Sequence, residues 1–193
     1  MNPSVASWRR QQRAALLLKR EAMPAEERLR AATAVAEKLD SLVAERGSTV
    51  IGIYWPIRHE LNLIQWARAL TRRSGAVLCL PVVVASNAPL EYWRWQPGGP
   101  MRAGVWNIPN PAERDVLVPD LVLAPLVGFD LENYRLGYGG GYFDRTLAAQ
   151  PQRPFAVGVG YDSCVIETIF PQPYDVPMDA ILTEGREQRP ASE

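Results

Sequence analysis

Leu29, Ala32, Val35, Ala36, Leu39, Leu42 and Val43 recur at the three- and four-residue intervals that gather apolar side chains on one face of a helix. The repeat opens after Pro24, with Glu26 and Glu27 placed to oppose the helix dipole, and stops at Gly47. A core-packing helix over residues 24–46 is predicted. An earlier helix is predicted up to Ala22, with Asn2 as N-cap and Pro3 as its first position. It carries Arg9 and Arg13, four residues apart and so on one face.

Beyond Gly47 the period changes. "STVIGIYW" is a short apolar run of strand character, "NLIQWARALTRRSG" reads as a helix closed by basic residues and glycine, and "AVLCLPVVV" is a strand again, which makes a βαβ unit. "LEYWRW" alternates as a strand, "PDLVLAPL" is a buried strand, "YFDRTLAAQ" a helix, "FAVGVGY" a strand and "DAILTE" a last short one. Strands separated by helices predict an α/β fold of three layers, α/β/α, around a mostly parallel central sheet. "QPGGPMRAGVWNIPNPAERD" is the one long loop, expected to be a flexible excursion or a lid, and "GREQRPASE" is expected to fray.

Composition narrows the class. The 193 residues fit one domain spanning 1–193, and 47% hydrophobic content supplies its core. Lys plus Arg and Asp plus Glu are each 21, so no global field draws nucleic acid or an anionic membrane, and an anionic ligand must be held locally. Cys79 and Cys164 lie in apolar runs without zinc or redox spacing and read as core thiols. The apolar run 14–18 is too short for a signal or membrane span, which makes the cytoplasm the expected compartment.

The sharpest local signal is "NYRLGYGGGYFDRTLAAQ", which puts four of the chain's 14 glycines into positions 137–141, between a strand and a helix. Ligands of open parallel sheets bind where a loop leads from a strand's carboxyl end into a helix. There Gly139, Gly140 and Gly141 can expose several N–H groups to one anion, and the helix dipole adds positive potential. The spacing is neither a P-loop nor a dinucleotide fingerprint. A tight turn, with Asp144 only steadying the first helical turn, fits the same residues. Arg135 just before the glycines favours a phosphate, which a guanidinium grips with two donors. Asp144 and Asp175 can be read as magnesium ligands, since Mg²⁺ takes one or two carboxylates with phosphates and waters; each also fits a capping or surface role.

With these residues the chain resembles the 5-formyltetrahydrofolate cyclo-ligases, also called methenyltetrahydrofolate synthetases. The likeness runs through "AMPAEERLR", "IGIYWPIRHELNL", "WNIPNP", "PDLVLAPLVGFD", "RLGYGGGYFDRTL" and "YDVPMDAILTE" in order, over nearly the whole length. The resemblance implies an enzyme of one-carbon metabolism, a ligase that uses ATP and Mg²⁺ to turn 5-formyltetrahydrofolate into 5,10-methenyltetrahydrofolate, ADP and phosphate. It implies small-molecule substrates, a monomer, and no nucleic-acid or membrane partner. By position it implies ATP contacts from Arg9, Arg13 and the run Arg135, Leu136, Gly137, Tyr138, Gly139, Gly140, Gly141, Tyr142 and Phe143. Arg135 and Asp144 are the implied catalytic residues, Asp144 and Asp175 the metal ligands, and Trp55, Glu60 and Trp106 the folate-binding residues.

Three positions depart from the family pattern. Many members have Lys at Arg9, many have Lys at Gly140, and Tyr174 stands where His often precedes the aspartate, so no acid–base role is expected of Tyr174. Two alternatives stay open at this level: a folate- or nucleotide-binding protein without turnover, and a sugar-phosphate isomerase-like enzyme of similar architecture.

Overall fold

The computed structural model describes residues 4–190. Helix α1 covers Val5–Ala22 and α2 covers Ala25–Arg46. Ser4 caps α1 by accepting a hydrogen bond from Ser7 N at 3.2 Å; the expected caps Asn2 and Pro3 lie outside the described residues. Pro24 and a left-handed Gly47 (φ 63°) bound α2, where the sequence pattern put them. Leu29 departs from that pattern. It is 68% exposed, on the flank of a helix whose buried stripe runs through Ala32, Val35, Leu39, Leu42 and Val43.

Strand β1 (Val50–Gly52) leads through α3 (Ile64–Ser74) to β2 (Val77–Val82), and β1 and β2 pair in parallel. Then come β3 (Glu91–Trp95), β4 (Met101–Ala103), β5 (Pro109–Pro111), β6 (Val116–Leu117), β7 (Leu121–Pro125), β8 (Gly128–Phe129) and β9 (Arg135–Leu136). Helix α4 (Tyr142–Ala149), β10 (Phe155–Val159), β11 (Ala180–Leu182) and β12 (Glu187–Gln188) complete the order.

The main sheet runs β12-β11-β10-β7-β1-β2-β3-β6. Its five central strands are parallel, and β12, β3 and β6 add antiparallel edges. Because side chains alternate across a strand, the sheet divides the core in two. Leu78, Leu80, Leu121, Leu123, Val157 and Val159 pack with residues of α1, α2 and α3 on one face, and Cys79, Val122, Ala124, Ala156 and Ile181 pack with Leu147 and Phe143 of α4 on the other. The three-layer reading holds.

Two expectations are corrected. The segment 96–115 is not a structureless loop: β4 and β5 form an antiparallel hairpin around a tight turn at 105–107. The tail is not frayed as far as it is described, since β12 pairs with β11 and Arg189 bonds both carboxylate oxygens of Glu45 at 2.9 and 2.8 Å.

Candidate active site

The parallel strands direct three loops to one edge of the sheet: 53–63 after β1, 126–141 after β7 and 160–179 after β10. Helix α1 lies against them with an unusual inward stripe. Arg9, Arg13, Leu16 and Arg20 follow the i, i+4, i+7, i+11 spacing that ordinarily carries apolar residues, so three cations face the loops.

Each arginine has its own partners. Arg9 gives Nε to Ile169 O at 2.9 Å, Nη2 to Phe170 O at 2.9 Å and to Asp175 Oδ2 at 2.5 Å, and Nη1 to Asp175 Oδ1 at 3.2 Å. It ties α1 to the loop after β10. Arg13 donates Nε to Gly137 O at 2.7 Å, and its guanidinium carbon lies 3.3 Å from where a Cβ on Gly139 would stand. Burial, and then the charge of Arg9, lower the pKa of Arg13, so a partly desolvated cation sits directly under the glycine loop. Arg20 is fully buried and donates to Leu126 O at 3.3 Å and to the Tyr138 hydroxyl at 2.5 Å.

The glycine loop is pinned by its carbonyls. Arg13 holds Gly137 O, and Arg145 of α4 holds Gly140 O through Nη2 at 2.5 Å while its guanidinium stacks 4.9 Å from the Tyr142 ring centroid. No backbone N–H from Tyr138 to Gly141 finds a backbone acceptor among the described residues, and the first amides of α4 have none within the helix. Gly139 (φ 99°) and Gly141 (φ 63°) hold angles that other residues rarely adopt. Carbonyls bound to cations and amides left free make a concave row of donors, which suits an anion.

Arg135, buried on β9, donates Nη2 to Asp144 Oδ2 at 2.8 Å, and its guanidinium stacks 5.0 Å from the Phe143 ring. Its Nε is buried with no partner among the described residues. Asp144 does not cap its own helix. Gly141 holds the N-cap position without a side-chain bond, while Asp144 turns to Arg135 and accepts from Val176 N at 3.2 Å. Asp175 also accepts from Gln172 N at 2.7 Å, so its oxygens are divided between Arg9 and its own turn. No cluster of three or more His, Cys, Asp or Glu side chains occurs among the described residues.

The loop after β1 supplies Glu60, which is buried and accepts from Ile57 N at 2.9 Å. Burial is the main force on it and raises its pKa to about 6, against the opposing pull of Ile57 N–H, Arg20, Tyr138 and Arg58. Arg58 (φ 45°) and His59 (φ 59°) take consecutive left-handed angles before Glu60, and the His59 carbonyl accepts from the Tyr161 hydroxyl at 2.9 Å. A groove of about 600 Å³ opens beside this turn, lined by α2, α3, residues 56–60 and Tyr161. Trp55 is half-buried against the main core. Trp106 is 67% exposed with a left-handed φ of 54° and meets Tyr142 edge-on at 5.6 Å, so it stands over the start of α4.

Sequence reasoning passed over Arg20, Arg145 and the bond between Arg20 and Tyr138. The one local signal was the position of Arg20 on the Arg9–Arg13 stripe. Cys79 and Cys164 are buried free thiols, and burial pushes Cys79 up to about 12, as a core role requires. No helix among the described residues is long and apolar enough to cross a membrane.

A three-layer α/β sheet with arginines and a free-amide loop at its carboxyl edge has the loops where such sheets place their ligands. The family model described as "5-formyltetrahydrofolate cyclo-ligase family" matches residues 5–184, and the chain belongs to that family of ligases. It is 31% identical over 184 residues to the 5-formyltetrahydrofolate cyclo-ligase of Mycolicibacterium smegmatis, covering 91% of this chain and 93% of that one. Its identity with the Haemophilus influenzae cyclo-ligase is 30% over 151 residues, 74% of this chain and 79% of the relative. The solved 5,10-methenyltetrahydrofolate synthetase of Aquifex aeolicus superposes with a TM-score of 0.83 at 30% identity, covering 96% of this chain and 94% of that one. That of Mycoplasma pneumoniae shares the fold, with a TM-score of 0.76 at 23% identity over 91% and 98%. Membership in a ligase family sets aside the isomerase-like alternative.

Proposed function

We propose that this chain, acting as a single domain, converts 5-formyltetrahydrofolate and ATP into 5,10-methenyltetrahydrofolate, ADP and phosphate, with Mg²⁺. The observation that carries the reading is the glycine loop: carbonyls tied to Arg13 and Arg145, amides free, and the Arg135–Asp144 pair at its two ends. Such a row of donors fits the phosphates of ATP.

The formyl carbon on N5 must lose its oxygen, which is a poor leaving group as it stands. The formyl oxygen attacks the γ-phosphorus, an O–P bond forms and ADP departs. N10 then bonds to the activated carbon and gives up its proton, and the C–O bond breaks to release phosphate. The protein's task is to align these groups and neutralise charge, so no side-chain nucleophile is needed. Arg13, Arg135 and the amides of residues 138–144 hold the phosphates. Of the two carboxylates, Asp144 fits Mg²⁺: its Oδ1 accepts a single 3.2 Å bond and keeps lone pairs for a cation, whereas the oxygens of Asp175 are engaged by Arg9 and Gln172 N. Bound there, the ion would neutralise phosphate charge.

Glu60, set on the strained turn, accepts N–H groups of the pterin, and Trp55, half-buried against the core, and Trp106, over the start of α4, supply aromatic surface for the folate. The test follows the absorbance of the methenyl product in the near ultraviolet. Growth is expected only with 5-formyltetrahydrofolate, ATP and Mg²⁺ together; tight binding of both substrates without growth would make the chain a binding protein.

A further inference from the structure

A second cavity, of about 510 Å³, opens between the end of β2, the start of β3 and the β4–β5 hairpin. Arg102 and Asn110 pair directly across that hairpin, so their side chains leave it on the same face, side by side. Asn110 is only 6% exposed, yet its side-chain amide meets no hydrogen-bond partner among the described residues. The amide nitrogen packs so closely on Gly104, another wall of the cavity, that a Cβ there would overlap it. An amide largely withdrawn from water with its donors and acceptor unused costs stability, which a ligand that bonds it would restore.

Arg102 lies over the Trp93 ring, 5.0 Å from its centroid, and no carboxylate pairs with it among the described residues. The one acid on the wall is already matched: Glu91 accepts from Trp93 Nε1 at 2.8 Å and from Arg114 Nε and Nη2 at 2.8 and 2.7 Å. With Arg102 and Arg114 against Glu91, the cavity keeps a positive charge in excess. Val82, Val83, Val84 and Val105 add apolar surface.

Apolar walls, an unused amide and an arginine without a carboxylate match one part of a folate, the aromatic acyl group joined through an amide to glutamate. We propose that this cavity is the subsite for that aminobenzoyl-glutamate tail, with Arg102 gripping a glutamate carboxylate and Asn110 bonding the amide link. The proposal rests on the functional reading above. Position favours it. Gly52 of β1 stands opposite Cys79 of β2, and Trp55 and Val82 each follow three residues later, so the two chains leave the sheet side by side, from strands about 4.8 Å apart. A folate whose pterin lies at Glu60 and Trp55 can run on into the cavity. The groove beside Glu60 suits an anionic tail less well: its Arg28, Arg58 and Arg73 are matched by Glu37, Asp40 and Glu60, and Arg73 already pairs with Asp40.

The experiment sets three probes against the full chain: 5-formyltetrahydrofolate, its pteroate form, which lacks the glutamate, and p-aminobenzoylglutamate alone. The wild type should bind the full substrate at least about tenfold tighter than the pteroate form, the scale of a lost charge-assisted bond, and p-aminobenzoylglutamate should compete with the full substrate. In Arg102→Ala and in Asn110→Ala the preference should shrink to within about twofold, through a raised KM more than a lowered kcat, and the fragment should cease to compete. Arg102→Lys should recover part of the preference. Melting temperatures should hold within a few degrees, since neither side chain gives up a protein hydrogen bond. A merely structural asparagine would lower the melt and leave the preference alone. A wild type that handles the full and pteroate forms alike, or a preference that either alanine variant retains, overturns the proposal while the functional reading stands. A wild type that binds neither form overturns the functional reading, and the proposal with it.

Discussion

Arg135 Nη2 stands 2.8 Å from Asp144 Oδ2, with both side chains largely buried, and this ion pair closes the glycine loop at its two ends. Removing one partner of a buried pair costs about 3–5 kcal/mol, since the other is left charged and unpaired. Asp144→Ala should therefore lose stability on that scale in denaturant melts. Asp144→Asn keeps an acceptor for Arg135 and should lose clearly less. Both should lose turnover alike, with the Mg²⁺ requirement shifted to higher concentration. Normal turnover of Asp144→Asn at limiting Mg²⁺ would take Asp144 out of the site.

Arg9 and Arg13 share a helix face and should behave differently. Arg9→Ala strands Asp175 and two loop carbonyls, so a melting loss of several kcal/mol is expected alongside any kinetic effect. Arg13→Ala breaks one protein hydrogen bond and should chiefly raise the KM for ATP, by roughly tenfold or more, as loss of a charge-assisted bond of about 1.5–3 kcal/mol predicts. Thermal melts beside ATP titrations separate the two; equal melting losses would contradict the division.

Gly139→Ala and Gly141→Ala force a side chain into left-handed angles, at about 1–2 kcal/mol each. At Gly139 the new methyl also presses on Arg13 at 3.3 Å. Both variants should raise the KM for ATP and lower kcat while melting within a few degrees of the wild type. Unchanged ATP affinity in folded variants would leave the glycines as a turn only.

Glu60 links pH to both binding and stability. Its pKa is raised from 4.5 to about 6, so the folded state holds the proton more tightly than the unfolded one. The resulting stability is fully present below pH 4.5 and is lost as pH rises through about 6. Glu60→Gln should thus melt higher relative to wild type at pH 8 than at pH 4.5, by about 2 kcal/mol. Folate affinity should run opposite, falling below about pH 6 in the wild type as the carboxylate protonates and staying flat in Glu60→Gln. A wild-type folate affinity independent of pH between 5 and 8 would rule out Glu60 as the recognising carboxylate.

What the sequence disclosed, and what it withheld, divides along local and non-local lines. The ends of α2 at Pro24 and Gly47, the five central strands and the glycine loop are written in neighbouring residues, through caps, periodicity and turn chemistry. The β8–β9 hairpin was not legible, because two-residue strands buried on both faces have no alternation to show. Segment 96–115 reads as a loop on its prolines and glycines, yet those residues bound a hairpin. Arg135 and Asp144 were found as motif residues, but their pairing, like the bond from Arg20 to Tyr138, joins segments that only the folded sheet brings together.

The fate of the formyl oxygen tests the central claim most directly. If the loop presents the γ-phosphate to that oxygen, then 5-formyltetrahydrofolate labelled with heavy oxygen in its formyl group should deliver the label to inorganic phosphate, one labelled phosphate for each methenyl product formed. Unlabelled phosphate, with the label released to water, would contradict the account.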